Sequence, residues 1–349
     1  MHNELDVFAI RSYLDALRDM CGSAPIVDIH VHATEVIKGK ARYGKPHNGV
    51  ISASAGDAYK RPELVNIRLA SPPVMIDSAR RNKLSEMAFT QNYRHTGPQV
   101  LGQHMELANI DKAVLLPVAS ANYSMAEQMD IIDFFCTNDD RFIAGYCMPA
   151  DVPDAMIYDD LALAVQRFGV RVVKIHPNIT GIDLTEKAGR ARLQEILSAC
   201  GRHALPVVLH GGCSPILGDV PASRYSSLHN LSAIDWAVTS APVVIAHFGI
   251  YGCNNSEGPA SEASKQALLD LLNSHLQLFT DTSGVSYEAI LTMLSIVDPA
   301  KIIFGSDALY VPAFRQIVLV MHALHELGHD PFIIKKIACD NAAQVLDLA

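Results

Sequence analysis

The segment PIVDIHVH, residues 25–32, decides how the chain is read. It is too short for an ordinary helix and too uniformly apolar for a strand with one face in water. Strands buried on both faces read this way, and such strands belong to parallel sheets. Its two imidazoles add a second message. His30 and His32 lie two apart, so they project to the same side of the strand, at its C-terminal end.

Seven further short apolar runs follow: KAVLLPVA (112–119), FIAGYCMP (142–149), VRVVKIHPN (170–178), PVVLHGG (206–212), PVVIAHFG (242–249), LQLFTDTSG (276–284) and KIIFGSDA (301–308). Between them, segments such as SMAEQMDIIDFFCTND (124–139), RLQEILSACGRH (192–203) and SKQALLDLLNSH (264–275) repeat apolar residues at helical spacing. Strand and helix in alternation mean a parallel sheet with crossover helices. Eight strands match a closed (β/α)₈ TIM barrel. An open doubly wound sheet is the competing architecture, but no glycine-rich fingerprint follows the first strand. The expectation is an α/β chain with one barrel domain over 1–349, a length such barrels reach as one unit.

Two regions stand outside the eightfold pattern. Residues 1–22 read as an amphipathic helix that covers apolar surface on the barrel's outside or bottom. Residues 33–96 form a long insertion after strand one. Ordinary βα loops are far shorter, and long ones are usually functional, so this segment is read as a lid.

Bulk properties narrow the function. The net charge of −9 argues against nucleic acid as a partner. No apolar run reaches the length of a membrane span. The N-terminus carries acids where a secretion signal needs a basic start, so a cytoplasmic location is expected. The seven cysteines are scattered and never in a CxxC pair, which suits reduced thiols. Cys213 and Cys253 read as small residues in loops.

In a barrel the active site lies at the C-terminal strand ends. His30 and His32 end strand one, His210 ends strand five, His247 ends strand six and Asp307 ends strand eight. An eight-stranded barrel is narrow enough for such groups to meet. Imidazole and carboxylate together are ligands for zinc or a similar divalent ion. A single strand histidine is more often a satisfied core residue. The specificity lies in the constellation, one member per strand terminus.

The motifs DIHVH, KIHP, LHGG, AHFG and FGSD resemble the successive strand motifs of the amidohydrolase superfamily. They are most similar to its amidohydrolase-related branch (amidohydrolase 2), which includes aminocarboxymuconate-semialdehyde decarboxylase-like and resorcylate decarboxylase-like enzymes. The resemblance spans about 25 to 349 and is weak in the insertion. It implies that His30, His32, His210 and Asp307 hold one divalent metal ion, Zn2+ first, with Mn2+, Fe2+ or Co2+ as alternatives. It implies a metal-activated water from which Asp307 takes a proton, with His247 as an acid, base or polarising group. Lys174 and His176 share a face of strand four. In binuclear members of the superfamily, a carboxylated lysine there bridges two metals. In the mononuclear branch it does not, and the overall pattern favours one ion. Lys174 then anchors a substrate carboxylate, or pairs with an acid such as Asp28. His176 precedes a proline and either meets substrate or shapes the loop.

The insertion carries a charge signal of its own. Residues 33–110 contain eleven Lys or Arg and six Asp or Glu, a balance of +5, which leaves −14 for the rest. A basic flap over a metal site favours an anionic small-molecule substrate, with Arg94 as the leading contact and His95, Arg42 and His47 behind it. Neither nucleic acid nor membrane is expected as a partner, and homo-oligomerisation is left open. The expected activity is metal-dependent hydrolysis of a small carbonyl compound, a lactone or amide. The alternative is metal-dependent non-oxidative decarboxylation of an aromatic or unsaturated carboxylic acid. A non-catalytic binding protein would lack some of the metal groups. A structural zinc site would include cysteine.

Overall fold

The computed structural model describes residues 4–32, 67–68, 98–119, 124–253, 261–308 and 313–348. The insertion 33–96, and with it Arg94, His95, Arg42 and His47, lies outside the described residues, except for Ile67–Arg68, which pairs antiparallel with Glu4–Leu5. Among the described residues no helix is long and apolar enough to cross a membrane.

Eight strands form one parallel sheet, each paired with the next in sequence: Val27–Val31, Lys112–Leu115, Phe142–Cys147, Val172–Ile175, Val207–Leu209, Val243–Ile245, Leu278–Asp281 and Ile302–Ile303. They are called barrel strands one to eight below. Hydrogen bonds between the first and last strand segments close the ring. Ile29 N–H donates to Phe304 O at 3.2 Å, Asp307 N–H to His30 O at 2.9 Å, and His32 N–H to Ala308 O. The fold is therefore the expected TIM barrel. All strand residues except Lys112 are buried, which is why the strands read as unbroken apolar runs.

Helices pack outside the ring at the positions that the 3.6-residue periodicity marks. Met125–Asn138, Ile157–Phe168, Lys187–Arg202, Glu262–Ser274 and Tyr287–Leu294 follow strands two, three, four, six and seven. Ser124, Ser261 and Ser286 cap three of them, each side chain accepting the backbone N–H three residues on. The N-terminal helix Val7–Cys21 packs on Ala313–Glu326 and Pro331–Lys335. Arg18 ties it to the chain just before strand two, through Asp111 at 3.0 Å and Asn109 O at 2.6 Å.

Two apolar layers result. The outer layer lies between strands and helices. The inner one fills the barrel with Val27, Ile29, Val114, Leu116, Ile143, Val172, Val208, Val244, Phe279 and Ile303. Strand periodicity of two puts Val172 one step below Lys174, Val208 below His210 and Phe279 below Asp281. The polar site thus rests on an apolar floor. Ala342, Val345 and Leu346 of the C-terminal helix Asn341–Leu346 pack into the same layer. Leu346→Ala should lower unfolding free energy by about 2–5 kcal/mol, the usual cost of a buried Leu cavity. Denaturant unfolding measures it, and an unchanged midpoint would show that the helix does not plug the barrel.

Candidate functional site

The groups at the strand ends meet. His30 Nε2 and His32 Nε2 are 3.1 Å apart. Asp307 Oδ1 lies 3.8 Å from the first and 3.4 Å from the second. Ligand atoms of His30, His32 and Asp307 fall within 4.8 Å of one another, and all three residues are buried. A second group of the same compactness is His30, His247 and Asp281. His210 lies beside these groups, its ring centroid 5.0 Å from that of His247, but belongs to neither.

Hydrogen-bond partners assign each imidazole its tautomer. His30 Nδ1–H donates to Asp281 Oδ2 at 3.0 Å, and His32 Nδ1–H to Leu116 O at 2.7 Å. Both Nε2 atoms therefore carry lone pairs, and these face each other. Two lone pairs at this distance repel unless positive charge stands between or beside them. The structure supplies one such charge: Lys174 Nζ donates to His30 Nε2 at 3.0 Å. His247 Nδ1–H points at Ser283 O, 2.9 Å away, which leaves its Nε2 as a lone pair as well. His210 Nε2–H donates to Cys213 O at 3.2 Å, so its open nitrogen is Nδ1. A set of neutral imidazole lone pairs around one carboxylate fits a divalent cation such as zinc or manganese.

Electrostatics agree with neutral imidazoles. Burial, and then the Lys174 charge, pushes His32 and His210 each down to about 3. Burial holds His30, His176 and His247 well below the ordinary histidine value. Burial also raises the Asp307 carboxyl well above the carboxylate range, with the Lys174 charge opposing it. Burial lowers the Lys174 ammonium from the ordinary lysine value, against the pull of Asp307 and Asp281.

Asp281 and Ser283, at the end of strand seven, join this cluster, and sequence reading missed them. Asp281 Oδ1 accepts from His247 N–H at 2.7 Å, Ser283 N–H at 3.0 Å and the Ser283 hydroxyl, while Oδ2 takes His30 Nδ1–H. Four donors commit this carboxylate to orienting two histidines, the arrangement that fixes ring direction and basicity at metal sites. The one available signal was a carboxylate at a strand terminus in FTDTSG.

Strand four resolves into two roles. Lys174 reaches the centre, against His30. Asp28 does not pair with it: Asp28 Oδ1 accepts backbone N–H from His30 at 3.1 Å and Ser306 at 2.9 Å. His176 precedes the short turn Pro177–Thr180 and stacks its ring on His210, 3.8 Å between centroids and 11° between planes. Tyr251, four residues after His247, leans over the site with its ring 4.6 Å from the His247 centroid. Gly284 has φ +61°, and an ideal Cβ there would lie 2.6 Å from Asp307 Oδ2 and 3.1 Å from Tyr251. The missing side chain leaves room around Oδ2.

The strand ends are bent to aim these groups. His247 and Phe248 have φ of 60° and 53°, and Asp307 has 64°, in the left-handed region that non-glycine residues rarely adopt. Such conformations persist only where surrounding contacts over-determine them.

The chain belongs to the Amidohydrolase family, whose model matches residues 27–348. No curated protein matches it. Among solved structures it is similar to 5-carboxyvanillate decarboxylase from Novosphingobium aromaticivorans, complexed with manganese and 4-hydroxy-3-methoxy-5-nitrobenzoic acid, at 14% identity over 95% of this chain and 97% of that one, TM-score 0.57. It is similar to 2,6-dihydroxybenzoate decarboxylase from Rhizobium at 12% identity, over 93% and 99%, TM-score 0.52. An amidohydrolase from Burkholderia multivorans with bound zinc matches at 13% identity, over 93% and 100%, TM-score 0.58. At these identities the likeness speaks for the fold.

Asp28 yields a stability prediction. Burial raises its pKa to about 7, and its Oδ2 has no hydrogen-bond partner among the described residues. The folded state therefore holds a proton that the unfolded chain gives up near pH 4. Its contribution is present below pH 4 and is lost as pH rises to about 7. In metal-free protein, Asp28→Asn should gain stability relative to wild type between pH 5 and pH 8. Denaturant unfolding at the two pH values reads the difference, and a constant gap would refute the buried-proton account.

Proposed function

We propose that the chain is a metal-dependent carboxy-lyase that removes CO2 from a small aromatic or unsaturated carboxylic acid. The observation that carries this reading is the Lys174 ammonium, buried at the centre of the site 3.0 Å from His30 Nε2. A buried cation beside a metal position suits a substrate that brings a carboxylate. The decarboxylases among the similar structures support it, and the order of the two chemistries expected from sequence is reversed accordingly.

His30, His32 and Asp307 would hold one divalent ion, with His210 beside them as the fourth protein group. The second group, with His247 and Asp281, is not assigned an ion because Asp281 is committed to four donors. A bound ion supplies positive charge that holds anionic substrate oxygens and draws electron density from them. Lys174 pairs with the substrate carboxylate. Asp307 presents Oδ1 to the histidine pair, and Oδ2 faces the room left by Gly284. In this reading that second oxygen passes a proton to the carbon that bears the carboxylate. The C–COO bond then breaks, its electron pair stays with the organic fragment, and CO2 leaves. Asp307 afterwards recovers a proton from water. The stacked His176 and His210 rings and Tyr251 offer flat walls for a planar acid.

Hydrolysis is the second reading, favoured by the His247 Nε2 lone pair, which suits a base that takes a proton from water, and by the zinc-containing amidohydrolase among the similar structures. Purified protein supplied with Mn2+ or Zn2+ should release CO2 from hydroxylated benzoates or related unsaturated acids. Turnover of lactones or amides without any CO2 release would overturn the lyase reading. The ligand assignment has its own test. His32→Ala should lose the ion and all turnover, whereas His247→Ala should keep about one ion per chain; under the hydrolytic reading it should also lose roughly 10²–10⁴-fold in kcat. Equal metal loss in both variants would make His247 a ligand.

A further inference from the structure

All seven cysteines are thiols, and the fold brings four of them into two close pairs that sequence spacing does not suggest. Cys213 Sγ and Cys253 Sγ are 2.7 Å apart, across 40 positions of sequence. Cys21 Sγ and Cys339 Sγ are 2.8 Å apart, across 318. The two pairs differ in access. Cys21, the last residue of the N-terminal helix, is 3% exposed and Cys339 0%. Cys213 is 7% exposed, but Cys253 is only half-buried, at the rim of the active-site face.

Backbone on both sides holds the rim pair together. Cys213 follows strand five and His210, and Cys253 follows strand six and His247. Cys213 N–H donates to Tyr251 O at 2.6 Å, and Gly212 bridges to Tyr251. Gly252, at φ +60°, lets the loops abut: an ideal Cβ there would lie 2.3 Å from Pro215 Cγ. A disulfide bond needs sulfurs about 2.05 Å apart, a further approach of about 0.65 Å. The backbone contacts already hold the two sulfurs close, so little conformational freedom remains to be lost on linking.

We propose that Cys213 and Cys253 are a redox modification site, converted by a hydroperoxide to a disulfide that ties the loop after strand five to the loop after strand six. The half-buried Cys253 reacts first. Its sulfur forms a bond to the distal peroxide oxygen as the O–O bond breaks, which gives a sulfenic acid and releases an alcohol, or water if the oxidant is hydrogen peroxide. The Cys213 thiol then attacks that sulfur. The S–S bond forms, the S–O bond breaks and water leaves. Two thiols have lost two protons and two electrons, and the hydroperoxide has taken them up. The bond braces the segment that carries Tyr251 against the one that follows His210.

The test uses the full-length protein, reduced with dithiothreitol, desalted and exposed to graded hydrogen peroxide. Remaining thiols are alkylated and peptides are mapped by mass spectrometry. The peptides that carry Cys213 and Cys253 should appear joined, lighter by two hydrogens, and separate again with dithiothreitol. This link should form at lower peroxide than any Cys21–Cys339 link. In Cys253→Ser, Cys213 should stay alkylatable at the dose that links the wild-type pair. If both residues remain alkylated while other cysteines oxidise, or if Cys213 is consumed equally fast in Cys253→Ser, the proposal fails.

Discussion

The buried carboxylate of Asp281 accepts a hydrogen bond from His30 Nδ1–H, and the character of the whole site follows from that tautomer. With Nδ1 as donor, Nε2 becomes a lone pair. It then faces the Nε2 lone pair of His32, whose own Nδ1–H is spent on Leu116 O. Burial forbids relief by protonation, because desolvation makes imidazolium costly here. Two facing lone pairs inside a barrel need a cation, and the ammonium of Lys174 stands where one is needed. The same Asp281 accepts the backbone N–H of His247, so strands one, six and seven are oriented by a single carboxylate.

The fold was legible because burial on both faces leaves a direct trace in composition. PIVDIHVH and the runs like it contain almost nothing but apolar residues below their polar tips, and the strands sit where those runs stand. The meeting of His30, His32 and Asp307 was legible for a related reason: parallel strands bring all their C-terminal ends to one end of the barrel, and polar residues there converge. Neither argument depends on which residues touch.

Partnership across the barrel was not legible. Asp281 lies 251 positions from His30, and no periodicity connects them. A carboxylate in FTDTSG reads equally well as a loop residue. The His176–His210 stack, the lean of Tyr251 and the Cys213–Cys253 approach share this cause. Each depends on adjacent parallel strands placing their following loops side by side, a contact that alternation predicts in outline but not residue by residue. Lys174 shows the same limit: charge pairing with Asp28 was a reasonable sequence reading, yet backbone amides had already claimed that acid.

Barrel closure and active-site geometry are made from the same bonds. The left-handed turn at Asp307 aims its carboxylate at the histidine pair, and its backbone N–H donates to His30 O. The next ring-closing bond runs from His32 N–H to Ala308 O. His30, His32 and Asp307 thus also join strand eight to strand one through their backbones. A strained φ costs of order 1–3 kcal/mol at each such residue, and the closure contacts offset it. A change in the backbone spacing of these three residues would disturb the bonds that close the ring. That coupling explains how a cluster of mutually repelling lone pairs is held at short range by a scaffold whose interior is otherwise apolar.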